Sequence, residues 1–235
     1  GATFGKTVKT LPDMPNNFWK HILNQAMKRI VKANNIVFRN DNFNLYILEN
    51  KMTNPYNGAL QELMGVFDKL DDSAVDHAVQ MIADANNVVV FGGGRERLQI
   101  MGFAMRLYHM GQKIAVEGDM TTPPVGKGDL FIVTVGPGEI STALALLGVA
   151  KEAGATILVL TAQPKGRAAE YADYVLHLPA QTMADDQGDH KTSILPMGSL
   201  YEGALFILFE IMVLKLTTLS NISAEDMRAN HTNLE

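Results

Sequence analysis

Five short runs of almost uniformly apolar residues decide what this chain can fold into. They cover residues 88–91, 114–116, 130–135, 156–161 and 174–178. A strand that is apolar at every position, rather than at alternate ones, is buried on both faces. That is the mark of a parallel sheet covered by helices. Helical patterns follow most of the runs. One spans about 98–109 and ends at Gly111, and another spans 141–152 and ends at Gly154. A short one spans 168–172, and a long apolar one spans 200–216 after Gly198. Upstream, Leu60, Leu63, Met64, Phe67 and Leu70 stand at helical spacing over 60–70. Ser73 with Asp76 predicts a variant capping box for a helix reaching about Ala85. Ser223 and Asp226 open a last short helix. The fold class is α/β. In such sheets ligands sit beyond the carboxyl ends of the strands, at the switch point, which singles out loops 92–97, 117–122 and 134–142.

Composition narrows the functional classes. Of 235 residues 47% are apolar and 19% charged, enough for a packed core. A net charge of −5 argues against a nucleic-acid-binding surface. There is no Cys, which excludes disulfides, thiolate metal sites and a Cys nucleophile, and fits a reducing, cytoplasmic location. The longest apolar stretch, 204–216, is too short to span a bilayer and is broken by Glu210, so no membrane association is expected. The N-terminus lacks the pattern of a signal peptide. The six histidines form no metal-ligand pair, so no metal is expected; His109 and His177 read as packing residues.

Residues 1–51 differ from the rest. They carry eight Lys or Arg against three Asp or Glu, whereas the remainder carries 12 against 22. The spacing predicts a helix over 18–31 and a strand over 44–48. Met52-Thr-Asn-Pro-Tyr56 reads like the beginning of a protein. Residues 1–51 are therefore read as an extension of unknown role, biological or artefactual, ahead of a domain over 52–235.

Three places could carry chemistry. Gly92-Gly-Gly-Arg95 ends a strand and opens a helix, where backbone can approach a ligand closely and a helix end favours an anion. The glycines alone are better explained as a tight turn, while Arg95 adds a fork for phosphate or carboxylate. Neither a dinucleotide fingerprint nor a phosphate-binding Walker loop is present. Val135-Gly-Pro-Gly-Glu-Ile-Ser141 is a second glycine loop, in which Glu139 is either a helix-end carboxylate or a site residue. Glu202 stands in the first turn of the most apolar helix, where it is either stabilised by the helix dipole or desolvated into a base. His231 lies in a polar tail, and tails usually fray.

Several stretches together resemble the sugar isomerase (SIS) family, in its 6-phospho-3-hexuloisomerase branch. They are Val90-Phe-Gly-Gly-Gly-Arg95, Phe103-Ala-Met-Arg-Leu-Tyr-His-Met-Gly111, Gly126-Lys-Gly-Asp-Leu130, Gly136-Pro-Gly-Glu139, Lys191-Thr-Ser-Ile-Leu-Pro-Met-Gly-Ser-Leu-Tyr-Glu202 and His231-Thr-Asn-Leu-Glu235. They run in the family's order through 52–235, and residues 1–51 match nothing in it. The resemblance implies a Rossmann-like, five-stranded parallel sheet between helices, assembled as a homodimer or homotetramer. It implies movement of a carbonyl between adjacent sugar carbons through a cis-enediol, without metal or organic cofactor. Glu202 matches the family's base. His231 matches its C-terminal histidine, a proton relay or substrate ligand in a site shared between subunits. The candidate substrate-binding residues are Gly93, Arg95, Glu96, Gly136, Glu139, Ser141 and Thr142. The partner implied is a small sugar or sugar phosphate.

The sequence departs from the family's pattern where phosphate is held. Glu96, Val135, Pro137 and Ile140 stand at four positions that carry hydroxyl side chains in the family, and Pro137 also removes a backbone N–H. The expectation is an isomerase whose substrate differs, either lacking phosphate or bearing another group. The alternative is a non-catalytic sugar-binding or sensor protein of the same fold.

Overall fold

The computed structural model describes residues 54–234, and the helix and strand expected within 1–51 lie outside them. Helix α1 spans Pro55–Phe67, with the Asn54 side chain accepting from the Tyr56 and Asn57 amides. Helix α2 spans Asp72–Asp84. Its cap is Asp71, not Ser73: Asp71 accepts from both the amide and the hydroxyl of Ser73. Asp76, the expected partner in that cap, instead pairs with Lys215 at 2.6 Å.

The five apolar runs become strands β1 (Val88–Gly92), β2 (Ile114–Val116), β3 (Leu130–Thr134), β4 (Thr156–Thr161) and β5 (Tyr174–His177). They form one parallel sheet in the order β2-β1-β3-β4-β5. Between them lie α3 (Gly94–His109), α4 (Ser141–Glu152) and a 3-10 turn at Arg167–Tyr171, where a short helix was expected. Helix α5 (Ser199–Leu219) follows β5 after a long loop, and α6 (Ala224–Ala229) opens on a reciprocal Ser223–Asp226 capping box.

The strands bury both faces, as their composition requires. Val88, Val90, Leu130, Ile132, Leu158 and Leu160 face the layer formed by α2, α3 and α5. Val89, Phe91, Phe131, Val133, Ile157 and Val159 face α4. Phe103 of α3 stacks on Phe209 of α5 with ring centroids 4.4 Å apart, fixing the two helices that matter most for the site. His109 is buried as expected; His177, also read as a packing residue, is exposed, because it ends the edge strand β5.

Two details position functional residues. Helix α3 starts at Gly94, four residues before its apolar periodicity begins, so Arg95 and Glu96 lie in its first turn and not in a loop. The strand order also reverses between β1 and β3. The connections leaving them diverge, which opens a crevice at their carboxyl ends.

Gly198 enters α5 at φ 74°, and a Cβ there would stand 2.7 Å from the Met183 amide nitrogen. We predict that Gly198→Ala destabilises the fold by about 1–3 kcal/mol through strain and collision. Chemical denaturation measures this, and an unchanged midpoint would contradict it.

Candidate functional site at the β1/β3 switch

A cleft of about 430 Å³ lies at the crevice. Gly93, Arg95, Glu96, Pro137, Tyr201 and Glu202 are among its lining residues. The size is within the range of small-molecule sites. Three helix N-termini meet there. The N-cap residues of α3, α4 and α5 are Gly93, Ile140 and Gly198; all three line the cleft and none makes a side-chain cap hydrogen bond. The helices that begin elsewhere, α1, α2 and α6, are capped by Asn54, Asp71 and Ser223. Orphan amide groups are thus kept where a ligand can use them.

Glu202 projects from the first turn of α5, and its side chain is 15% exposed. An oxygen lies 2.8 Å from Nη2 of Arg95. Arg95 also donates from Nη1 to the Ser199 hydroxyl at 3.0 Å and from Nη2 to the Met197 carbonyl. Burial raises the Glu202 pKa above the usual carboxylate value; the charge and hydrogen bond of Arg95 pull the other way without cancelling it. The result is a carboxylate of enhanced basicity beside a fixed cation.

Glu96, one residue on from Arg95, turns inward. It is 7% exposed. Both oxygens accept from the Gly136 amide at 3.1 Å, and Oε2 accepts from the Thr134 hydroxyl at 2.6 Å. The Thr134 hydroxyl is also 3.2 Å from the phenol of the buried Tyr201. Burial raises the Glu96 pKa, opposed by the Thr134 and Gly136 hydrogen bonds and assisted by the charge of Glu202. Burial also holds the Tyr201 phenol well above its usual pKa. Gly136 has to be glycine here: a Cβ would lie 2.8 Å from the Tyr201 ring and 3.0 Å from Glu96 Oε1.

The structure therefore brings Gly93, Arg95, Glu96 and Glu202 together, with Gly136 directly behind Glu96. Other expected site residues lie apart from them. Glu139 is exposed and pairs with Arg167 at 2.7 Å. Ser141 and Thr142 are exposed in the first turn of α4, beyond Ile140, and are not among the cleft's lining residues. His231 lies near the other end of α3: its ring is centred 5.0 Å from that of His109, and Asn230 donates to the His109 carbonyl at 3.0 Å. At 1.5 Å per residue, His109 is roughly 20 Å along the helix from Arg95. Within one protomer His231 and Glu202 do not meet.

Tyr201, Thr134, Thr182 and Met183 were not singled out in the sequence. Tyr201 could have been noticed beside Glu202. Thr182 and Met183 belong to a loop without motif or periodicity. Gln181 shapes that loop by donating to the Asp185 and His190 carbonyls and accepting from the Ser193 amide. Glu62 of α1 clamps it by accepting from the Ser193 hydroxyl and the Ile194 amide. Among the described residues no group of three His, Cys, Asp or Glu could hold a metal ion, and no helix is long and apolar enough to cross a membrane.

Comparison with known proteins agrees with this architecture. Residues 81–202 match the SIS domain family. A Bacillus subtilis protein named 3-hexulose-6-phosphate isomerase is 32% identical over 176 residues, covering 75% of this chain and 95% of its own. A Mycobacterium gastri protein of the same name is 34% identical over 189 residues, covering 80% and 94%. A solved Methanococcus jannaschii structure, described as inferring a 3-hexulose-6-phosphate isomerase function, superposes with a TM-score of 0.67 at 25% identity over 77% of this chain and 98% of its own. With the parallel sheet, the switch-point cleft and these relatives all in agreement, the chain belongs to the SIS family.

Proposed function

We propose that this protein is an isomerase that moves a carbonyl between adjacent carbons of a sugar or sugar phosphate, with Glu202 as the base. The observation that carries the proposal is the desolvated Glu202 carboxylate, held at the cleft wall beside Arg95. Relatives named 3-hexulose-6-phosphate isomerase make a shift along a hexulose the first reaction to try.

Glu202 takes the proton from the carbon next to the carbonyl. The electron pair moves into a carbon–carbon double bond, and the former carbonyl oxygen gains charge as an enediolate. Arg95, no longer opposite a charged carboxylate once Glu202 has taken the proton, is placed to stabilise that charge. Return of the proton to the neighbouring carbon completes the shift, while a second group moves the hydroxyl proton between the two oxygens. His231 takes this last role from a neighbouring protomer. An apolar surface supports such an assembly: Leu98, Met101 and Met105 of α3 and Phe206, Ile211 and Leu214 of α5 are all exposed, on helices that pack together.

The Arg95–Glu202 pair favours a second reading, a sensor that binds sugar without turnover, because the cation draws basicity from the carboxylate. Incubation with candidate sugars in deuterium oxide separates the two. A working base introduces deuterium at the carbon next to the carbonyl, and a binding protein introduces none.

The base acts only when ionised, so kcat/KM for exchange climbs with pH through the Glu202 pKa. That acid limb is expected above the pH of an ordinary glutamate. Arg95→Gln removes the influences that lower this pKa, so the limb moves to higher pH; a limb that stays or moves down contradicts the assignment. For the shared site, co-expressed Glu202→Gln and His231→Ala chains are expected to regain activity that neither has alone. Absence of any recovery would remove His231 from the mechanism.

A further inference from the structure

We propose that the β1/β3 end of this cleft receives the uncharged, hydroxylated end of a free sugar and disfavours a phosphoryl group, because the Glu96 carboxylate already occupies the donors an anion would need. The choice of a sugar rests on the proposed isomerisation; the charge preference does not.

The cleft's lining residues include one cation and two carboxylates. The cation, Arg95, is already within 2.8 Å of one of those carboxylates, Glu202. The cleft thus presents a formal surplus of negative charge to an incoming dianion.

Helix ends do not reverse this balance. The N-termini of α3 and α5 each carry an acid in the first turn, Glu96 and Glu202, so their dipoles are already complemented. Helix α4 has no acid in its first turn, but Pro137 and Ile140 form its side of the cleft, and Pro137 has no N–H to offer.

The donors at the end of β3 are engaged from within. The Gly136 amide and the Thr134 hydroxyl both point to Glu96. The close fit of Gly136 between Glu96 and the Tyr201 ring leaves no room for another anion at that amide.

Chemistry then separates the two kinds of ligand. A sugar hydroxyl can donate to a carboxylate oxygen and accept from a helix amide. A phosphate dianion has only acceptors to bring. Beside Glu96 the first is accommodated and the second repelled.

The experiment compares the full chain with Glu96→Gln and Glu96→Ser. Each is assayed for deuterium exchange into free hexoses and hexuloses and into their 6-phosphates, with inorganic phosphate titrated as an inhibitor. The parent is expected to favour the free sugar in kcat/KM by about tenfold or more. The variants are expected to bind inorganic phosphate about tenfold more tightly than the parent does. A parent that favours the 6-phosphates, or folded variants with unchanged phosphate affinity, would overturn the proposal. Should a variant fail to fold, the parent's own ratio still decides. If no sugar exchanges at all, the isomerase reading fails, and calorimetry with inorganic phosphate alone tests the charge preference. Binding seen in the variants and not in the parent would support it; tight binding to the parent would refute it.

Discussion

The arrangement of this site depends on one buried carboxylate. Glu96 links the first turn of α3 to the end of β3 through Thr134 and to the following loop through Gly136; Thr134 extends the link to Tyr201 of α5. Hydrogen bonds to a charged group contribute roughly 1.5–3 kcal/mol each. These fix the relative positions of the elements whose ends form the cleft. Successive side chains on a helix diverge by about 100°. With Glu96 directed inward, Arg95 is directed across to α5, where it meets Glu202, Ser199 and Met197. Glu202 and its cation are placed by a residue that faces away from them.

Stability has been spent on this cleft. The three helices that open onto it lack side-chain caps, which forgoes about 1 kcal/mol at Ile140 and roughly a few tenths at each of the glycines Gly93 and Gly198. Met197, whose carbonyl accepts from Arg95, sits at φ 53°, a conformation unfavourable for a side chain of its kind. Met197 immediately precedes Gly198, which lines the cleft, and away from the cleft the described helices are capped by side chains.

The sheet was legible in the sequence because burial on both faces leaves an uninterrupted apolar run, and all five runs became strands. The polar first turn of α3 was not, since Gly94, Arg95 and Glu96 carry no apolar periodicity. Residue type alone could not choose between Ser73 and Asp71 as the cap of α2, because both can accept from a helix amide. Glu202 was visible as an acid opening an apolar helix. The direction of Glu96 was not visible: it depends on Gly136 and Thr134, some forty residues away in sequence. His231 shows the remaining limit: the role proposed for it joins two protomers, and such a role would leave no mark on the contacts within one chain. Thr182 and Met183 were missed because their loop is shaped by Gln181 and Glu62, which form no pattern along the chain.

The central claim is that Glu202 removes a carbon-bound proton. Replacing it by Gln keeps the shape of the side chain and removes only the basic group. Sugar affinity and hydrogen exchange at carbon, measured side by side on Glu202→Gln and the parent, test the claim most directly. The account predicts that affinity persists while exchange into every sugar is lost; exchange continuing at the parent's rate would contradict it.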